Sequence, residues 1–250
     1  MQKLKLGTLK KRDLLMSIRR RNMLYCPVNM ACEVLQPRWT IHILAEMWWG
    51  TSRFNDFRRA IPRMSPSLLS KRLAELEHRG LIERVEDKAT GKVEYLRTQA
   101  AVELEPIIDV LGKWAYRNAD SSEEVCNAEP GAFVWNLRRS IDAEALPARR
   151  VVIKLHFPDQ PKTEQNYWIT ARPRAPVDVC YIDPGYDIDL YITCELAILV
   201  SVYFGYSSLT REIENDRINL IGKASIARSI DRWLILSSFA RDAPIGSDVK

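Results

Sequence analysis

The sequence predicts an α+β fold in two parts, a helix-rich first part and a second part built on a mainly antiparallel sheet. Three observations predict it. Up to about residue 118 apolar residues recur at helical spacing, whereas VVIKLHF, NYWITA, VDVCYI and DIDLYIT farther on read as strands separated by turn residues. Residues 119–130, ADSSEEVCNAEP, are acidic, poor in large apolar groups and suited to a linker. Charge divides at nearly the same place: residues 1–100 carry 20 Lys/Arg against 10 Asp/Glu, and residues 101–250 carry 17 against 22. A basic first part joined to an acidic second part suggests that only the first meets a polyanion.

With 250 residues, 46% of them hydrophobic, the chain is long enough for two cores. No apolar run approaches the roughly 20 residues of a membrane span, and MQKLKLGTLKKRDLL has neither an apolar h-region nor a small-residue cleavage site. Five cysteines without a CxxC pair fit a reducing cytoplasm and argue against a disulfide framework or a zinc site. No cofactor motif is present.

Helices are expected at 9–22, 27–36, 39–49, 53–60, 65–80 and 99–118, with ERVEDKATGKVEYLRT forming a hairpin between the last two. The second part begins with a helix around 131–143. Its four strands follow, with a strong turn at Asp183-Pro184-Gly185, then helices at 194–204 and 207–215, the short strand RINLIG and a final helix at 224–239.

The helix at 65–80 raises the functional question. Ser65 is a good N-cap, Pro66 suits the first turn, and Gly80 sits where a helix ends. Leu69, Leu73 and Leu76 share one side, while Ser67, Ser70, Lys71, Ala74 and His78 share the other. Short outward side chains let a backbone approach another surface closely. Helix, turn, helix and then a hairpin with Lys88 and Lys92 in its loop is the order of a winged helix-turn-helix, in which the second helix enters the major groove and the wing follows the phosphates. Ser65, Pro66, Ser67, Ser70 and Lys71 are the candidate contacts on the helix. Arg53, Arg58, Arg59 and Arg63 stand before it to neutralise phosphates, and Lys88 and Lys92 serve the wing. Arg72 lies nearer the leucine side and suits a structural ion pair. Trp39, Trp48, Phe54 and Phe57 read as core.

These features resemble the HxlR family of bacterial transcriptional regulators. The resemblance covers about residues 26–117 and rests on linked features: CPV at 26–28, Trp39 opening the second helix, RF..FRRAIP, SP..LS.RL.ELE..GLI.R, and VEY in the wing. Pro37-Arg38 replaces the usual Gly-Lys, and Leu96-Arg97-Thr98 replaces the usual Ser-Leu-Thr. The family implies homodimers, with helices 9–22 and 99–118 at the two-fold interface, on a palindromic operator in double-stranded DNA. Cys26 precedes Pro27 at a helix start close to Arg19–Arg21, a setting that favours thiolate; a redox switch and a packing residue are both open readings.

The stretch VDVCYIDPGYDIDLYITCELAILVSVYFGYSSLTREIENDRINLIGKASIARSIDRWLILSSFA resembles a sterol-carrier-protein-like domain, whose twisted sheet and covering helices often enclose an apolar tunnel. Trp168, Tyr191, Leu199, Tyr203, Trp233 and Leu236 could line such a pocket for an apolar effector, or simply fill a solid core. Asp178, Asp183, Asp187 and Asp189 read as an exposed sheet edge and turn caps. His42, His78 and His156 are far apart in sequence, and no phosphate loop or GxSxG is present, so the sequence argues against an enzyme. The alternative is a lipid carrier or enzyme acting through the second domain, the basic first part serving assembly.

Overall fold

The computed structural model describes residues 26–118 and 128–242. The expected helix at 9–22, Arg19–Arg21, Cys126 and most of the linker lie outside the described residues. The chain forms two compact units, Met1–Leu111 and Gly112–Lys250.

In the first unit, α1 (Pro27–Leu35), α2 (Thr40–Trp48), α3 (Phe54–Ala60) and α4 (Pro66–His78) precede a hairpin of β1 (Ile82–Glu86) and β2 (Val93–Arg97). Pro27 and Pro66 each open a helix, where their missing N–H leaves no bond unmade. Ile43, Phe57, Leu69, Leu73, Leu76 and Ile82 are at most 1% exposed and form the centre of one core. Phe57 is in this core and Trp39 and Phe54 pack against it from its margin, whereas Trp48, also read as core, stacks on Trp49 instead. Gly80 ends α4 at φ 71°, a left-handed conformation that a side chain would strain.

The strands pair antiparallel with Ile82 opposite Arg97 and Glu86 opposite Val93. The expected helix at 99–118 is divided into α5 (Gln99–Val102) and α6 (Glu105–Asn118). Thr98 ties the exit of the wing to its entry, its hydroxyl donating to the Gly80 and Leu81 carbonyls at 2.7 and 3.0 Å.

The second unit begins within α6, at Gly112, and its next described helix is α7 (Pro130–Leu137), capped by the Glu129 carboxylate accepting from Ala132 N–H. Its five-stranded sheet has the order β5-β4-β3-β6-β7, from β3 (Val151–His156), β4 (Asn166–Ala171), β5 (Asp178–Cys180), β6 (Leu190–Cys194) and β7 (Ile218–Gly222). Three of its interfaces are antiparallel, but β3 and β6 run parallel, so the sheet is mixed. Side chains alternate across it. Ile153, Leu155, Ile169, Leu190 and Ile192 are buried on one face, and Lys154, Trp168, Tyr191 and Ile221 line the other.

Between β6 and β7 lie α8 (Leu196–Tyr203), with four residues buried, and α9 (Leu209–Glu214). The expected helix at 224–239 is instead α10 (Ala224–Ala227) and α11 (Ile230–Trp233). Backbone competition explains the break: Ser140 C=O accepts from Ile235 N–H, Trp233 C=O accepts from Asp142 N–H, and Leu234 bridges Ile141. Those bonds hold the chain extended where the helix would have continued.

Candidate nucleic-acid interface

The cap and core of α4 set which of its side chains face outward. Ser65, extended at φ −66°, accepts Leu68 N–H through its hydroxyl at 3.3 Å, so this candidate contact starts the helix. Its Oγ also lies 3.2 Å from the Ser67 hydroxyl. Because Leu69, Leu73 and Leu76 are buried, Ser67, Ser70, Lys71, Ala74 and His78 are left on the exposed face. Arg72 stays off that face. It pairs with Glu75 and donates through Nε to Arg38 C=O at 3.1 Å, the ion pair its position suggested.

The wing is locked in place beside α3. Tyr95 N–H donates to Ser52 C=O at 2.8 Å, and Arg53 Nη2 meets Glu94 Oε1 at 2.9 Å. Arg53 therefore joins β2 to the start of α3, with its side chain still half exposed. At the wing tip Asp87 closes the turn. The Thr90 hydroxyl and Ala89 N–H bond its carboxylate and hold its pKa below the usual value. That turn carries Lys88 and Lys92 on the exposed loop. Arg58 and Arg63 are also exposed, and Arg59 faces Asp56 at 4.0 Å.

Beyond this surface, His42 has a pKa lowered by burial and by Arg38, which keeps its imidazole neutral at higher acidity. Cys26 is the exposed N-cap of α1 and Cys32 is exposed on the same helix. Along α6, Ile107, Val110, Leu111 and Trp114 are 43–63% exposed at i, i+3, i+4 and i+7 spacing.

In the second unit, Trp168 and Tyr191 flank Lys154, whose ammonium lies 5.1 and 5.9 Å from their rings. Leu199 and Trp233 are buried in the core, with Trp233 Nε1 donating to Ile226 C=O, and Leu236 is 40% exposed. Tyr203 accepts from the Ser140 hydroxyl at 3.3 Å. The structure thus brings two of these six residues together, on either side of Lys154, with Trp168 buried and Tyr191 exposed.

The aspartates separate. Asp178 and Asp183 accept backbone N–H groups of Val179 and Gly185, as edge and turn caps do. Asp189 departs from the expected exposed position, being only 4% exposed. It accepts Arg149 in a two-pronged pair at 2.8 and 3.0 Å, Lys223 Nζ at 2.6 Å and Val152 N–H at 3.0 Å. Burial pushes its carboxyl up, but these donors outweigh burial and hold the pKa at about 2. Neither Arg149 nor its neighbour Arg150 stood out in the sequence; the run Arg172-Pro173-Arg174 was the available signal.

Among the described residues no group of three His, Cys, Asp or Glu could hold a metal ion, and no helix is long and apolar enough to cross a membrane.

Residues 34–123 match the HxlR-like helix-turn-helix family. YybR of Bacillus subtilis (strain 168), an uncharacterized HTH-type transcriptional regulator, is 35% identical over 39% of this chain and 79% of its own length. YvaP of the same organism, described in the same words, is 34% identical over 39% of this chain and 92% of its own length. The solved structure of the redox regulator HypR in its reduced form is 33% identical over 40% of this chain and 99% of that chain, with a TM-score of 0.37.

Proposed function

From the premise that this chain belongs, through its first unit, to the HxlR-like helix-turn-helix transcriptional regulators, we propose that α4 reads a palindromic operator as part of a homodimer. The observation that carries this reading is the division of α4 into a buried leucine side and a lean exposed side. Ser67, Ser70 and Lys71 reach base edges, with Pro66 keeping the entry to the helix slim. Ser65 contributes its cap and its place next to the phosphates. Arg63, Lys88 and Lys92 contact phosphates, and Arg53 supports them by fixing the wing through Glu94.

The exposed apolar stripe of α6 supplies the surface for a second copy. The division of labour is DNA binding and dimerisation over residues 1–118, a linker at 119–130 and a sterol-carrier-like module from 131 onward. In this reading that module senses an apolar small molecule over the sheet face bearing Trp168 and Tyr191. The protein acts in the cytoplasm and has no catalytic role. Cys26, exposed at the start of α1, is the residue through which a thiol-reactive signal would enter.

The test is Lys71→Ala, measured by gel shift on DNA flanking the protein's own gene. Loss of about 1–3 kcal/mol of specific binding with an unchanged circular dichroism spectrum supports the docking. Wild-type affinity in the variant overturns it.

A further inference from the structure

At one end of the sheet in the second unit, strand register places like charges side by side. Val151 is the Cα partner of Ala171 in the antiparallel pair of β3 and β4. One step beyond that pair the chain reads Arg150 on one side and Arg172 on the other. Like charges directly opposite across two strands repel. Arg149 and Arg174 stand next to them, and the four arginines line a cleft of about 650 Å³ together with Glu144 and Leu146. With Arg149 paired to Asp189 from behind and Glu144 the one carboxylate in the lining, the cleft keeps a positive excess carried by Arg150, Arg172 and Arg174.

The cleft is held in shape from behind. Asp189, buried at 4% exposure, grips the Arg149 guanidinium with both oxygens. The Arg150 guanidinium lies 4.1 Å from the centre of the Tyr186 ring. Arg174 sits in the left-handed region at φ 61°, where its N–H donates to Glu144 Oε1 at 2.8 Å. Glu144 is thereby occupied in shaping the turn. Among the described residues, the Arg172 and Arg174 side chains have no hydrogen-bond or ion-pair partner, and both residues are exposed.

We propose that this cleft binds a small organic anion of the phosphate-ester class carrying two or more negative charges. A multivalent anion removes the repulsion that the register of β3 and β4 imposes on Arg150 and Arg172. Guanidinium groups reach the cleft from both strands and from the turn, and a tetrahedral phosphate offers acceptors in several directions where a carboxylate offers them in one plane. The space is larger than a phosphate alone requires, and the buried Leu146 and the Pro173 ring give the organic part an apolar wall. The inference is independent of how the first unit meets DNA.

Pyrophosphate is the probe, titrated calorimetrically into the full chain at low salt. Wild type binds it, and Arg172→Ala combined with Arg174→Gly weakens binding at least about tenfold, the loss of one charged hydrogen bond or more. Arg150→Ala, a second and separate variant, weakens it similarly. The Arg172→Ala, Arg174→Gly change does not lower the melting temperature without ligand, since it removes side chains that make no hydrogen bond or ion pair in the described residues. Lys71→Ala, in the first unit, leaves pyrophosphate binding intact even if it abolishes DNA binding, so failure of either reading is seen separately. The proposal is overturned if wild type does not bind pyrophosphate, if the cleft variants bind it as well as wild type, or if Lys71→Ala alone removes it. It is also overturned if short duplex DNA displaces pyrophosphate from Lys71→Ala, which would make the cleft a nucleic-acid surface.

Discussion

Replacing Asp189 by Asn isolates the charge at the hub of the second sheet. The amide keeps a carbonyl oxygen for Val152 N–H and nearly the same volume, while its NH2 cannot accept from Arg149 Nη2 and Lys223 Nζ, so those bonds and the attraction behind them are lost. The native carboxyl is held at about 2 against an ordinary value of 3.8. At 1.36 kcal/mol per pH unit that gap corresponds to roughly 2 kcal/mol. The Arg149 and Lys223 side chains are 44% and 57% exposed, so solvent screening reduces the figure to about 1 kcal/mol. Because the folded pKa is depressed, the contribution is complete above the unfolded value and disappears as pH falls from about 4 towards about 2. Urea unfolding of wild type and Asp189→Asn, followed by circular dichroism at several pH values, reads it directly. The stability difference is about 1 kcal/mol at neutral pH and shrinks to nothing near the acid end. Equal stability at neutral pH, or a difference that persists unchanged in acid, contradicts the assigned role.

Other substitutions probe the first unit. Leu73→Ala empties a site that is 1% exposed in the core and costs about 2–5 kcal/mol in chemical denaturation. Ser65→Ala removes the hydroxyl that caps α4 and costs about 1 kcal/mol in the same assay. Val110→Glu with Trp114→Glu places charges in the apolar stripe of α6; if the proposed dimer forms there, sedimentation velocity shows a dimer for wild type and a monomer for the variant.

Legibility in the sequence followed the distance over which each feature is determined. The buried side of α4 was readable because Leu69, Leu73 and Leu76 lie within three turns, and the wing because its two strands are joined by a short polar loop. Asp189 was misplaced because its partners come from far along the chain, Arg149 40 residues before it and Lys223 34 residues after. The parallel pairing of β3 with β6 and the adjacency of Arg150 and Arg172 are likewise products of register, which no local pattern records. The break after Trp233 arose from competition: residues 140–142 took the backbone groups that a continuing helix needed. Arg53 was expected to face phosphate, and only its geometry with Glu94 reveals that it also holds the wing.

The salt dependence of operator affinity in a wing variant tests the central claim most directly. For wild type, the logarithm of the binding constant on DNA flanking the protein's own gene falls linearly with the logarithm of salt concentration. Replacing Lys88 and Lys92 with Ala reduces that slope by about 2, one for each lost phosphate contact. A slope identical to wild type, with undiminished affinity, would contradict a wing that grips the DNA backbone beside α4.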